Sequence, residues 1–513
     1  MSAVILDFVR LYGRYVLAVI VLTLHCSVPV HAGDLKVGVP GFPLNAGNPF
    51  PRLEQDNRIV HRALFDGLTQ LDAGGNIVPA LAISWRTEGP TAWHFELRRD
   101  VEFSNGEPFN AEAVQAVISW LKSSSAAGVS ATNLVANIDR VETLDRYSVI
   151  IHTAIPDATL PSKMAGVVVV PSAAWAQLGP AAFVANPAGT GPFTLATTVV
   201  GAGQIVLAAN PDSWRAPKVD SLTLVSMPNA AARAQALLVG ESHVATGLDL
   251  AQIDTIQSGG ALVTTSPAYA VSAIALRQDE GRASPLKDVR ARQALNYGLD
   301  KNKLASEVFN GLTAPAGQPV GRWSHGYNPA VAPFPHNPER AKELLFEAGI
   351  VTPFSLRLDV VAGRFPGDAE LYGEIAEQLK EIGVEVEVRT ISQGQWLENF
   401  TSNTWPVATD GFSMVLDALP TNDIFSAFSE YACGRPAPLF CDEALDRSLV
   451  EANQELTYAS RLALLDQVAQ TIQDLTPALF LVEQFDLFAV RRDVSGFEIV
   501  GRVPAYENIS LEE

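Results

Sequence analysis

Apolar and polar positions alternate or recur along this chain in ways that predict local structure. Leu35, Val37 and Val39 alternate with Lys36 and Gly38 up to Pro40-Gly41, which predicts a strand closed by a turn. A helical stretch follows around Asn57 to Phe65, and then a turn-rich segment, Asp72-Ala73-Gly74-Gly75-Asn76. Asn110 is placed to cap a helix over 111–122, in which Ala111, Val114, Val117, Ile118 and Leu121 share one face. Leu222 to Val225 reads as a strand and Ala230 to Leu238 as a helix. In the second half, Asn337-Pro338 supplies an N-cap with proline in the first turn, Ala341, Leu344, Leu345 and Ala348 form the buried stripe, and Gly349 stops the helix. Leu371, Ile375, Leu379 and Ile382 make a further stripe ending at Gly383, after which Val384, Val386 and Val388 alternate with Glu385, Glu387 and Arg389. Helix, glycine and strand in that order is the unit of an α/β sheet.

The N-terminus departs from this pattern. Arg10 and Arg14 precede an apolar run of ten, Tyr15 to Leu24, which is too short to span a bilayer. Val30 and Ala32 occupy the −3 and −1 positions of a cleavage site, so residues 1–32 are read as a secretory signal peptide cut after Ala32. The competing reading is an uncleaved anchor. Cys26 follows His25, where an acylation signal calls for a small residue.

Composition narrows the classes. The 513 residues carry 36 Lys+Arg against 56 Asp+Glu, a net charge of −20 that becomes −21 once the leader is gone. Such a surplus repels a phosphate backbone and an anionic membrane surface, so no nucleic-acid partner is expected. With the leader removed, Cys433 and Cys441 remain, separated by a Gly- and Pro-containing segment, and a local disulfide is the natural reading in an oxidising compartment. Free thiols are the alternative.

Signatures of catalysis are missing. None of the six histidines beyond the leader pairs with another at helical metal-binding spacing, and G-x-S-x-G, G-x-x-x-x-G-K-[ST] and a complete G-x-G-x-x-G do not occur. We therefore expect no catalytic residue, no metal and no cofactor. A carbohydrate-active hydrolase, which needs only two carboxylates facing each other, stays as the rival of another class.

Several segments together resemble the extracytoplasmic solute-binding proteins, family 5, of peptide, nickel and opine ABC transporters. They include Phe103-Ser104-Asn105-Gly106-Glu107-Pro108-Phe109-Asn110, Gly189-Thr190-Gly191-Pro192-Phe193 and Pro285-Leu286-Lys287-Asp288-Val289-Arg290-Ala291. Gly326-Tyr327-Asn328-Pro329, Cys441-Asp442-Glu443-Ala444-Leu445 and Val490-Arg491-Arg492-Asp493-Val494 follow in the same order. The resemblance implies an α/β, two-lobed periplasmic-binding-protein fold (type II, cluster C-like) with an extra subdomain in lobe one. Its expected layout is lobe I over 33–268 with an inserted subdomain at about 70–200, lobe II over 269–478, and a return to lobe I over 479–513. The outward crossing is expected at Ala268 to Arg277 and the return at Leu479 to Gln484.

The resemblance also implies a ligand cleft between the lobes. A peptide's ammonium needs a carboxylate, for which Asp417 and Asp423 are candidates, while an anionic ligand needs a cation, for which Arg277 is the candidate. Tyr269, Phe42, Trp396 and Trp405 offer flat stacking surfaces, and Glu483 lies on the return crossing. Where many members carry Asn-Thr after the first hinge strand this chain has Arg277-Gln278, and where many carry Trp flanked by Gly it has Leu416-Asp417-Ala418. The expected protein is a monomeric periplasmic receptor that takes an oligopeptide or peptide-like ligand and delivers it to membrane permease subunits of an ABC importer. An opine or sugar-phosphate-like anion is the alternative ligand.

Overall fold

The structure, a computed structural model, describes residues 33–512 apart from 44, 51–57, 200–202, 279–283, 403, 429–432 and 434–439. The expected leader and cleavage site, residues 1–32, therefore lie outside the described residues. One ten-stranded sheet runs through the molecule, in the order Val384–Thr390, Phe354–Val360, Gly411–Asp417, Leu262–Leu276, Ala478–Val490, Val244–Ala245, Asp34–Val39, Ser221–Ser226, Gln204–Ala209 and Phe193–Val199. Two long strands at its centre, Leu262–Leu276 going out and Ala478–Val490 coming back, pair antiparallel and join the two lobes.

Both central strands are covered on their two faces, which explains their nearly unbroken apolar text. Ile274 and Leu276 face one core of lobe II with Leu295, Leu345 and Ile375, while Val271, Ala273 and Ala275 face the other with Phe412, Leu449 and Val468. Alternation along a strand puts neighbours on opposite faces, so one sequence run feeds two helical layers. Lobe I has its own core, built on Leu35, Val37, Val39, Leu222 and Leu224.

The ladder between the central strands is interrupted at the lobe boundary. Pairing runs from Leu262↔Val490 to Pro267↔Phe485 and resumes at Val271↔Glu483. Residues 268–270 thus stand opposite Gln484 alone, and Tyr269 takes a left-handed backbone, φ +53°. A bulge of this kind bends a strand, and here it sits where one lobe gives way to the other.

The extra subdomain is a four-stranded antiparallel sheet, in the order Ala82–Thr87, Ala92–Leu97, Ser148–Thr153, Ile138–Asp145, with the helix Ala111–Leu121 packed on it. Asn110 caps that helix by accepting from the Ala113 N–H at 3.0 Å, and Asn337 caps Pro338–Glu347 by accepting from Arg340 N–H at 3.0 Å. Cys433 and Cys441 are joined by a disulfide.

Candidate functional site

A cavity of about 610 Å³ opens where the lobes meet. Its lobe I wall begins with the helix Arg58–Leu64, whose Arg58, His61 and Arg62 stand at i, i+3 and i+4 and so share one face. Thr69, Gln70, Leu71 and the backbone around Gly166 continue that wall. Lobe II contributes Asp417, the last residue of Gly411–Asp417, with Leu419 and Pro420 just beyond it. Val500, Gly501 and Val503 of the C-terminal hairpin close the remaining side.

Close packing behind the wall fixes the position of the helix. A Cβ on Gly189 would fall 1.9 Å from the Leu64 carbonyl oxygen, so only glycine lets the Gly189-Thr190-Gly191 turn seat against the end of Arg58–Leu64. The same turn delivers Thr190, whose Oγ1 donates to Asp66 at 2.8 Å. Trp214 Nε1 and Arg215 Nε also donate to Asp66, at 3.0 and 2.9 Å. Arg215 pairs with Glu507 at 3.2 Å, and Arg62 pairs with the same carboxylate at 2.8 Å. Burial lowers the pKa of the Arg62 guanidinium, with Glu507 acting against it. Two cations and two anions thus compensate one another inside lobe I.

At the lobe junction a charge of one lobe reaches a charge of the other. Asp417 Oδ1 accepts from the Leu419 N–H at 2.8 Å, and its Oδ2 lies 3.7 Å from Arg58 Nη2 of the other lobe. Opposite charges from two lobes therefore line one cavity within reach of each other.

The remaining candidates fall elsewhere. Phe42 lines a second cavity of about 280 Å³ with Ile59, Phe488 and the Asp486–Arg502 ion pair. Tyr269 is buried in the central bulge, where burial and then the Asp72 carboxylate raise the pKa of its hydroxyl. Trp396 and Trp405 pack in the lobe II core, Trp405 stacked on Phe412 at 3.9 Å and Trp396 on Phe400 at 4.8 Å. Asp423 is buried in an ion pair with Arg461 at 2.7 Å, and it caps the following turn through Phe425 N–H. Glu483 accepts from Arg322 N–H and Nε at 3.0 and 2.9 Å, tying a loop to the return strand. Arg277 donates to the carbonyls of Pro406 and Thr409 at 2.8 and 3.0 Å, at the lobe II end of the outward strand. Of the eight candidates, Asp417 alone lines the larger cavity. Arg58, His61 and Arg62 were not singled out from the sequence, although their i, i+3, i+4 spacing on a short helix was there to be read.

Among the described residues no group of three or more His, Cys, Asp or Glu is placed to hold a metal ion, and no helix is long and apolar enough to cross a membrane. The sequence model described as "Bacterial extracellular solute-binding proteins, family 5 Middle" matches residues 76–430, more than half of the chain. The chain belongs to this family. Among the relatives of this family 5 solute-binding protein, Di/tripeptide-binding protein 2 of Pseudomonas aeruginosa is 25% identical over 466 residues, covering 85% of this chain and 87% of the relative. Glutathione-binding protein GsiB of Pectobacterium atrosepticum is 27% identical over 392 residues, 74% of each chain. The solved structure of ABC transporter substrate binding protein CtaP from Listeria monocytogenes superposes with a TM-score of 0.82 at 18% identity, over 94% of this chain and 99% of that one. The two-lobed binding-protein fold of this family 5 member is thereby established, and the cavity lies at its lobe junction.

Proposed function

We propose that this protein captures a short peptide or peptide-like zwitterion between its lobes and presents it to the permease of an ABC importer. The observation that carries this reading is the juxtaposition of Asp417 and Arg58 across the cavity. A peptide's ammonium fits Asp417 Oδ2, while its carboxylate fits Arg58, with His61 and Arg62 on the same helical face behind it. Relatives named for di/tripeptides and for glutathione support the ligand class. A volume of about 610 Å³ lies within the usual range for small-ligand clefts.

The protein acts as a carrier and performs no chemistry. Glycoside hydrolysis calls for two carboxylates flanking the scissile bond. Among the described residues, the carboxylates lining this cavity are Asp417 and Asp66, and Asp66 is committed to Thr190, Trp214 and Arg215. Export by cleavage after Ala32 places the mature chain in the periplasm, where monomers meet the permease with ligand enclosed. Incubation with di-, tri- and tetrapeptides and with oligosaccharides, followed by calorimetry and product analysis, tests the reading. Saturable peptide binding without turnover is expected; cleavage of an oligosaccharide would contradict it.

A further inference from the structure

Three left-handed backbones from three separate segments meet at one point of the lobe junction. Gly75, φ +82°, lies in the lobe I turn 72–76, Tyr269, φ +53°, sits in the bulge of the outward strand, and Asn422, φ +50°, lies in the lobe II loop after Gly411–Asp417. A Cβ added at Gly75 would stand 2.5 Å from Asn422 Nδ2 and 2.8 Å from Tyr269 Cε1, so the three are in direct contact. Non-glycine residues in this region are strained, and they persist where surrounding contacts hold them.

Asn422 supplies those contacts. It is fully buried, and its Nδ2 donates to the Gly75 carbonyl of lobe I at 2.9 Å and to the Trp323 carbonyl of lobe II at 2.7 Å. Its Oδ1 is buried with no hydrogen-bond partner. Tyr269 adds a second tie, its hydroxyl donating to Ala73 O at 3.4 Å while its own carbonyl accepts from Ala418 N–H at 2.9 Å. We infer that Asn422 is an interlobe latch, a positioning residue whose amide holds the lobes closed without ligand and so sets how much of the protein is closed before binding. The two donated bonds favour closure, whereas the stranded Oδ1 and the left-handed backbone oppose it. Opening lets water reach Oδ1, which keeps the latch reversible. A receptor whose closed form is already populated loses less affinity to closure, so the latch also tunes binding.

The test needs no ligand and stands apart from the peptide reading. Wild-type protein, Asn422→Gly and Asn422→Asp are stripped of carried-over ligand under non-reducing denaturing conditions, refolded and compared by small-angle X-ray scattering and thermal melting. Asn422→Gly removes the amide and relieves φ +50°, so it keeps a melting temperature close to wild type while its radius of gyration rises. Asn422→Asp, which sets a carboxylate against two carbonyls, opens the molecule at least as far. Scattering of Asn422→Gly indistinguishable from wild type, with the melting temperature retained, would overturn the latch.

Discussion

Arg58 Nη2 and Asp417 Oδ2 face each other from two lobes at 3.7 Å, with 40% and 34% of their side-chain surfaces exposed. A pair this long and this wet contributes on the order of 0–1 kcal/mol, so a ligand separates it at little cost. Each partner then finds a stronger one in the ligand, since hydrogen bonds to charged groups contribute about 1.5–3 kcal/mol.

The exchange predicts which ligand groups matter. Asp417→Asn lowers affinity for a tripeptide with a free N-terminus by about 10- to 100-fold, while the melting temperature hardly moves. Titration calorimetry checks this with the N-acetylated peptide as control: acetylation weakens binding to wild type but costs the variant little more. Arg58→Ala shows the same dependence for the C-terminal carboxylate, read with a peptide amide.

Asp66 behaves differently because its role is structural. Its carboxylate accepts from three side chains while Arg215, on the other side, links it to Glu507. Asp66→Ala leaves buried Arg215 without one of its two carboxylates and is expected to destabilise the fold by about 3–5 kcal/mol. Urea unfolding measures the loss, and a midpoint unchanged from wild type would refute it.

Lys301 gives the protein a pH dependence of its own. Its amine is buried inside lobe II, donating to Asn296 Oδ1 at 2.9 Å, and burial pulls its pKa from 10.5 to about 7. Between those values the unfolded chain holds a proton that the folded one has shed. Wild-type stability therefore rises with pH through that window, and below about pH 7 the full penalty is present. Lys301→Met lacks this term, so wild type gains on the variant by on the order of 4 kcal/mol between pH 7 and pH 10. Chemical denaturation at several pH values shows the slope, and parallel curves for the two proteins would exclude it.

Local structure was legible wherever one short segment decides it. The Asn110 and Asn337 caps, the stripe over 371–382 and the apolar runs of the two central strands depend on neighbours in sequence. The site depends on neighbours in space, and residue type does not disclose them. Trp396 and Trp405 are as aromatic as any cleft residue, yet their flat faces are taken up by Phe400 and Phe412. Asp423 and Asp417 are six residues apart and chemically alike, but Asp423 is closed off by Arg461, while Asp417 opens on the cavity. Arg58 lacked any signal beyond its helical spacing because its partner arrives from the opposite lobe. The bulge at Tyr269 was equally hidden, since its run of apolar residues reads as regular strand.

The most direct test of peptide capture is native mass spectrometry of the protein expressed from residue 1 and purified from the periplasm, followed by ejection and sequencing of whatever it carries. Peptide capture predicts a small mass shift resolved as a short peptide or peptide conjugate with both termini free, absent from Asp417→Asn. Retention of a sugar or an opine, bound equally by wild type and Asp417→Asn, would contradict it.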